Sequence, residues 1–415
     1  MRPQSSPYSI ELPTQTRTAI HLPASKSISN RALIINALAG NREMPCNLSD
    51  CDDTNVMLRA FEQMDTPHST INIGAAGTAM RFTTALLSAT KGHHFITGSD
   101  RMKQRPIGVL VEALRSLGAR IKYVHNEGYP PLDIEGCTLQ GGTISISGNV
   151  SSQYISALLM IAPTLQGGLT LELKGNIISR PYIDLTLTMM RQFGAHAEWT
   201  SEHTIHVEEG PYCKMVYEVE NDWSAASYWF EMVALSGDKE ARISLSHLQQ
   251  QSAQGDSVVR HIFSHLGVES TFIGNSLTLV KGGEPVKHFE YDFVNCPDLV
   301  QTVVVTCCLL GITFRFTGLQ SLKIKETDRI EALKNELRKW GYVLTDSNDS
   351  ILAWDGTRCE EAANTAIDTY DDHRMAMAFA PAAAIRGRVV INHPEVVSKS
   401  YPHFWEEFFM VSTQG

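Results

Sequence analysis

Two acidic residues in this chain stand out by their settings. Glu326 lies between Lys325 and Arg329 in KETDR, and Asp298 follows Pro297 at the head of a long apolar run. A carboxylate surrounded by cations stays ionised, and it can move a proton once a bound anion dilutes the field around it. Each acid also has a plainer explanation: Glu326 as an acid favoured by the dipole of a helix start, Asp298 as a helix N-cap. The bases carry the stronger signal. Lys26 and Arg31 in PASKSISNR, Arg81 in GAAGTAMR, Arg105 in RMKQRPIG, Lys325 and Arg329 in KETDR, Arg374 in DDHR and Lys399 in SKSYP sit at or near equivalent ends of matching segments, in a chain of formal net charge −10. Scattered surface lysines and arginines would not keep such positions. An acidic chain that gathers its bases in this way predicts a ligand with several negative groups.

Other chemistries find less support. GAAGTAMR is rich in glycine but lacks the Walker lysine and its spacing, and no G-x-G-x-x-G follows a strand, so nucleotide binding by either device is disfavoured. No Gly-x-Ser-x-Gly elbow is present. The eight cysteines (Cys46, Cys51, Cys137, Cys213, Cys296, Cys307, Cys308 and Cys359) form no C-x-x-C, which is too sparse for a disulfide scaffold and has no zinc spacing. His373 in DDHR reads as a hydrogen-bonding or capping residue rather than a ligand, so neither a metal nor an organic cofactor is expected. The first residues lack the apolar core of a signal peptide, and the run from Thr302 to Phe314 is too short to span a bilayer. These features predict a cytoplasmic protein with no nucleic-acid or membrane partner.

The elements that would hold these residues repeat. Six segments share a polar or Gly-rich knot, an apolar helix-like run and a closing glycine; they start near Ser27, Thr78, Ser152, Ser224, Asp298 and His373, at intervals of 51, 74, 72, 74 and 75 residues. Ser, Thr and Asp suit the N-cap, and the closing Gly40, Gly92, Gly167, Gly237, Gly311 and Gly387 suit the left-handed stop. Nearly continuous apolar residues predict helices buried all round. A second, amphipathic series opens near Asp53, Pro106, Pro181, Asp256, Asp328 and Pro402, at intervals of 53, 75, 75, 72 and 74. With β-like residues between and after the helices, the unit is β-α-β-α-β-β, six times over, the first copy shortened. A chain of 415 residues exceeds one ordinary core, so the expectation is an α+β protein of two domains with three repeats each: residues 20–220, and residues 1–19 with 221–415.

With its knots quoted in order, LPASKSISNRALIINAL, GAAGTAMR, DRMKQRPIG, SGNVSSQYISALLM, SRPYIDLT, DWSAASYW, QGDSVV, PDLVQT, KIKETDRIEAL, TYDDHRMAMAF and VVSKSYPHFW, the chain resembles the EPSP synthase family of enolpyruvyl transferases along nearly its whole length. The resemblance implies a fold of two α/β prisms. It also implies transfer of the enolpyruvyl group of phosphoenolpyruvate to the 5-hydroxyl of shikimate 3-phosphate, with release of phosphate. Both substrates are anions, and the enzyme is expected to be a monomer.

Carried over by position, Lys26, Ser27, Arg31, Ser151, Ser152, Gln153, Ser179, Asp298, Ser321 and Lys325 resemble the contacts to shikimate 3-phosphate. Lys26, Gly77, Arg105, Gln153, Arg329, Arg374 and Lys399 resemble those to phosphoenolpyruvate. Asp298 and Glu326 match the acid/base pair, with Lys26 counted among the catalytic residues. Gly77 has two readings, a tight turn or a close approach of ligand to backbone. Ala75, Ser321 and Phe82 stand where the family commonly has Asn, Asn and Pro. The competing readings are the related UDP-N-acetylglucosamine enolpyruvyl transferase, many of which carry a cysteine in the loop that reads GSDRMKQRPIG here, and a relative that captures phosphorylated anions without turnover.

Overall fold

The computed structural model describes residues 6–11, 16–64 and 70–413. The two helix series alternate along the chain. They are α1 (Lys26–Leu38) and α2 (Asp52–Met64), α3 (Gly77–Ala89) and α4 (Gly108–Ser116), α5 (Ser152–Ile161) and α6 (Arg180–Gln192). Next come α7 (Trp223–Leu235) and α8 (Val259–Ser264), α9 (Val300–Leu310) and α10 (Arg329–Lys339), then α11 (His373–Phe379), the short α12 (Ala383–Arg386) and α13 (Phe404–Thr413). The apolar helices are buried all round, as their composition demands: α11 is wholly buried and α7 buries every residue except Ser224.

Four sheets share one plan. Thr70–Asn72 runs parallel to Gly92–Thr97, which pairs antiparallel with Leu132–Gly136, itself antiparallel to Arg120–Tyr123. Gln140–Ser147, Gln166–Lys174, Thr204–Val207 and Ala197–Ser201 repeat the pattern, as do His288–Asp292, Thr313–Thr317, Ile351–Trp354 and Thr345–Ser347. In the fourth sheet the parallel partner of Arg242–Ser246 is Arg17–Ile20. Residues 24–219 therefore intervene between the first strand of one repeat and its helix α7.

The first and last copies keep both helices but have shorter pairings among the described residues. Cys46 makes a single parallel bridge to Glu218 directly after Pro45, which has no amide proton for a ladder. Val389–Ile391 pairs antiparallel with Tyr8–Ile10 at the start of the chain.

The chain divides into two compact units, Ala24–Val219 and Met1–Pro23 with Glu220–Gly415. In the first, α1, α3 and α5 pack on one another inside one apolar core. In the second, α7, α9 and α11 do the same.

The helix ends refine the sequence reading. Side-chain caps come from Ser151, Asp222 and Asp372, one or two residues before the expected Ser152, Ser224 and His373. The caps of α1 and α3 are Ser25 and Ala76, and neither gives a side-chain bond to the helix amides. Gly311 ends α9 in the left-handed conformation (φ 72°). Gly237 is not among the positive-φ glycines, so α7 stops at Ser236 without one.

Candidate active site

The unit containing residues 220–415 gathers its charged knots around one guanidinium. Arg329, the first residue of α10, is 1% exposed. Its Nε donates to Asp372 Oδ2 at 2.6 Å and its Nη2 to Asp372 Oδ1 at 3.3 Å. Nη1 donates to Asp298 Oδ1 at 2.9 Å and Nη2 to Glu326 Oε2 at 3.0 Å. Asp298 also faces Arg374 (3.1 Å) and Lys325 (3.7 Å), and Glu326 faces Lys399 (2.7 Å). Burial pushes the Asp298 carboxyl up, but Arg374, Lys325 and Arg329 together outweigh it and hold the group well below the usual carboxylate range. Burial likewise opposes the charge on Arg329, and Asp372, Glu326 and Asp298 more than offset it.

Each member is held from a different direction. The 3-10 turn Pro297–Leu299, which runs into α9, carries Asp298 at its centre. A 3-10 turn, Gln320–Ile324, carries Ser321 and leads into Lys325 and Glu326. Asp372 caps α11 by accepting the amide of Arg374 at 2.9 Å while gripping Arg329. Arg374 Nη1 donates to the hydroxyl of Tyr228 on α7 at 3.3 Å.

Asp256 stands behind this group. It is buried, takes a short hydrogen bond from Ser224, the one residue of α7 that is not buried, and is pushed up to about 7, first by burial and then by the charge of Asp298. Sequence reasoning gives neither Asp372 nor Asp256 a place in the site, although both lie inside quoted motifs, TYDDHR and QGDSVV, and Asp256 reads as a helix start.

The unit Ala24–Val219 carries the other predicted residues. Lys26 opens α1 and pairs with Asp53 of α2 at 3.5 Å. Ser151 caps α5 through the amide of Gln153 at 3.4 Å, and Gln153 Nε2 donates to Thr78 Oγ1 on α3 at 2.9 Å. Ser152 is the first residue of α5. Ser179, at the head of α6, is buried and left-handed (φ 56°).

Arg31 is enclosed rather than presented. Nε donates to Thr186 Oγ1 (2.7 Å), Nη1 to the Ser27 carbonyl (2.9 Å), and Nη2 to Ser156 Oγ (3.1 Å) and the Tyr182 carbonyl (3.3 Å). It is 3% exposed, and burial lowers its pKa to about 10. Phe82, in the place where Pro is common, lies under it, with its ring centroid 5.4 Å from the guanidinium carbon.

Gly77 opens α3 with an ordinary backbone conformation, so the tight-turn reading does not hold. The close neighbour is Arg105: a Cβ on Gly77 would stand 2.5 Å from its Nη1. Arg81 and Tyr154 both donate to the carbonyl of Pro106, at 3.1 and 2.6 Å, fixing the backbone beside Arg105.

No cluster of His, Cys, Asp or Glu among the described residues could hold a metal. None of their helices is long and apolar enough to cross a membrane.

A model of the family described as EPSP synthase (3-phosphoshikimate 1-carboxyvinyltransferase) matches residues 10–70 and 62–408. A 3-phosphoshikimate 1-carboxyvinyltransferase from Bacteroides fragilis is 57% identical over 400 residues, covering 96% of each chain. One from Photobacterium profundum is 36% identical over 424 residues, covering 96% of this chain and 97% of its own. A solved EPSP synthase from Acinetobacter baumannii superposes with a TM-score of 0.80 at 22% identity, covers 98% of both chains, and supports the two-prism fold. By the span of the family match and the identity of these relatives, the chain belongs to the EPSP synthase family.

Proposed function

We infer that the chain transfers the enolpyruvyl group of phosphoenolpyruvate to the 5-hydroxyl of shikimate 3-phosphate, giving 5-enolpyruvylshikimate 3-phosphate and phosphate. The carrying observation is the ion cluster in which Lys325, Arg329, Arg374 and Lys399 surround Asp298 and Glu326. In the first step the hydroxyl oxygen bonds to C2 of phosphoenolpyruvate, its proton leaves to a base, and an acid delivers a proton to C3. In the second step C3 loses a proton, the double bond reforms, and phosphate leaves C2. Asp298 and Glu326 are the acid/base pair. They share Arg329, so a proton gained by one changes the field at the other.

Of the remaining residues, Lys26, Ser27, Arg31, Ser151, Ser152, Gln153, Ser179, Ser321 and Lys325 are assigned to shikimate 3-phosphate. Arg31 acts mainly through the backbone and hydroxyls that it ties together, since four of its five N–H donors are engaged with them. Lys26, Gly77, Arg105, Gln153, Arg329, Arg374 and Lys399 are assigned to phosphoenolpyruvate. On this reading residues 20–220 hold most of the shikimate 3-phosphate contacts, and residues 1–19 with 221–415 hold the acid/base pair and part of the phosphoenolpyruvate site. The cations offset repulsion between two anionic substrates and stabilise the departing phosphate. We assign a monomer, and eight free cysteines suit a reducing cytoplasm. Proton NMR of the reaction mixture tests the assignment: new vinyl signals of an enolpyruvyl ether should need both substrates and should not form when a UDP-sugar replaces shikimate 3-phosphate.

A further inference from the structure

The turn that delivers Asp372 to Arg329 is bent against its own preference. Tyr370 and Asp371 stand side by side at φ 55°, in the left-handed region that favours glycine. A short turn closes over them, with the amide of Asp372 donating to the carbonyl of Thr369 at 2.8 Å. Two adjacent side-chain residues in that region need an outside hold. It comes from Glu336, two turns along α10 from Arg329. The hydroxyl of Tyr370 donates to Glu336 Oε1 at 2.6 Å, and the amide of Asp368 donates to Oε2 at 3.0 Å. Lys339 Nζ links Glu336 Oε2 (2.6 Å) to Asp368 Oδ2 (2.8 Å).

Glu336 is fully buried. A buried carboxylate is costly unless donors satisfy it, and an apolar residue would serve a merely packed helix better. The helix thus grips the loop at two points, Glu336 on residues 368 and 370 and Arg329 on Asp372, one at each end of the left-handed pair.

We propose that Glu336 is a positioning residue for the phosphoenolpyruvate part of the site. Through Tyr370 it holds the left-handed turn in the shape that aims Asp372 at Arg329 and sets the start of α11, where Arg374 lies. The inference rests on the function proposed above. Glu336 does not itself face the reacting groups; it acts through Asp372. Its loss should therefore appear in the handling of phosphoenolpyruvate rather than as general instability.

Steady-state phosphate release by the full chain, each substrate varied in turn, tests this. Tyr370→Phe deletes one hydroxyl from a half-exposed ring and leaves the other donors of Glu336 in place, so it should fold normally. It should raise KM for phosphoenolpyruvate about tenfold, with KM for shikimate 3-phosphate changed less than about twofold. Glu336→Gln should shift the same constant in the same direction. Lys334→Ala, on the same helix, removes ion pairs to Glu331 and to Asp346 of the strand Thr345–Ser347 and should leave both constants within about twofold. An unchanged KM for phosphoenolpyruvate in Tyr370→Phe, equal rises in both constants, or a fall in melting temperature alone would overturn the inference while the function stands. A wild-type chain that releases no phosphate from the two substrates would instead overturn the function, and the inference with it.

Discussion

Asp298 is drawn toward three cations at once, and that arrangement decides its chemistry. Burial favours its neutral form, while Arg374, Lys325 and Arg329 favour the anion and prevail. The group is a committed carboxylate until an anionic substrate draws on the same cations. Asp298→Asn and Glu326→Gln keep shape and remove proton transfer, so each should lower kcat by about 10²–10⁴-fold. Thermal protection by shikimate 3-phosphate should persist in both variants. Near-normal kcat in either would remove that residue from the acid/base pair. Gly77→Ala tests a second contact: the added methyl must displace the Arg105 guanidinium, so KM for phosphoenolpyruvate should rise roughly tenfold, by less than in Arg105→Ala. An unchanged KM would show that Arg105 yields without loss.

These residues were only partly legible beforehand. Asp298 and Glu326 stand out in sequence because bases flank Glu326 and a proline precedes Asp298. The sequence places the start of α11 near His373, one residue past its cap, Asp372. That it is also the tightest counter-charge of Arg329 depends on packing between residues 43 apart, and no local pattern carries that. Arg31 was legible as a cation but not as an enclosed one, because its hydroxyl and carbonyl partners come from α5, α6 and its own helix.

At the scale of elements, the helices were easier to read than their ends. A buried helix leaves a long apolar run and a spacing near 74 residues, and both survive local variation. A cap is a single oxygen: where polar residues adjoin, as in Ser151-Ser152 or Asp371-Asp372, composition cannot say which one accepts the amide. The abbreviated sheets of the first and last copies were harder still, because their pairing reaches far along the chain, as between Cys46 and Glu218 or Tyr8 and Ile391.

One buried helix also carries a charge problem. Glu231 on α7 is fully buried, and neither carboxyl oxygen has a hydrogen-bond partner. The nearby Thr306 hydroxyl donates to the Thr302 carbonyl instead, at 2.7 Å. Burial, opposed only by the nearby Thr306 hydroxyl, holds the Glu231 carboxyl well above its ordinary 4.5 and favours its neutral form in the fold. Below that pH the folded and unfolded chains bind the proton equally. Above it the unfolded chain ionises first, so stability falls as pH rises, by up to about 1.4 kcal/mol per pH unit until the folded group also titrates. Glu231→Gln should remove this slope and gain most over wild type at the higher pH, as read by chemical unfolding at pH 5 and pH 8. Parallel losses in the two proteins would mean that Glu231 is ionised in the fold.

For the whole molecule, the charge balance is the informative feature. A chain of net charge −10 places Lys325, Arg329, Arg374 and Lys399 around two carboxylates in one unit, and Lys26, Arg31 and Arg105 on the helices and loops of the other. Fold class was legible from the repeat spacing. Residues 16–20 join the later half through the parallel pairing of Arg17–Ile20 with Arg242–Ser246, a contact that skips a whole unit.

The central claim is that these charges serve one reaction, enolpyruvyl transfer between two phosphorylated anions. Phosphate release by the full chain measures it directly. One phosphate should appear for each phosphoenolpyruvate consumed when shikimate 3-phosphate is present, with essentially none when either substrate is omitted or a UDP-sugar is substituted. Phosphate release from phosphoenolpyruvate alone, equal turnover with the UDP-sugar, or no release with both substrates at saturation would contradict the account.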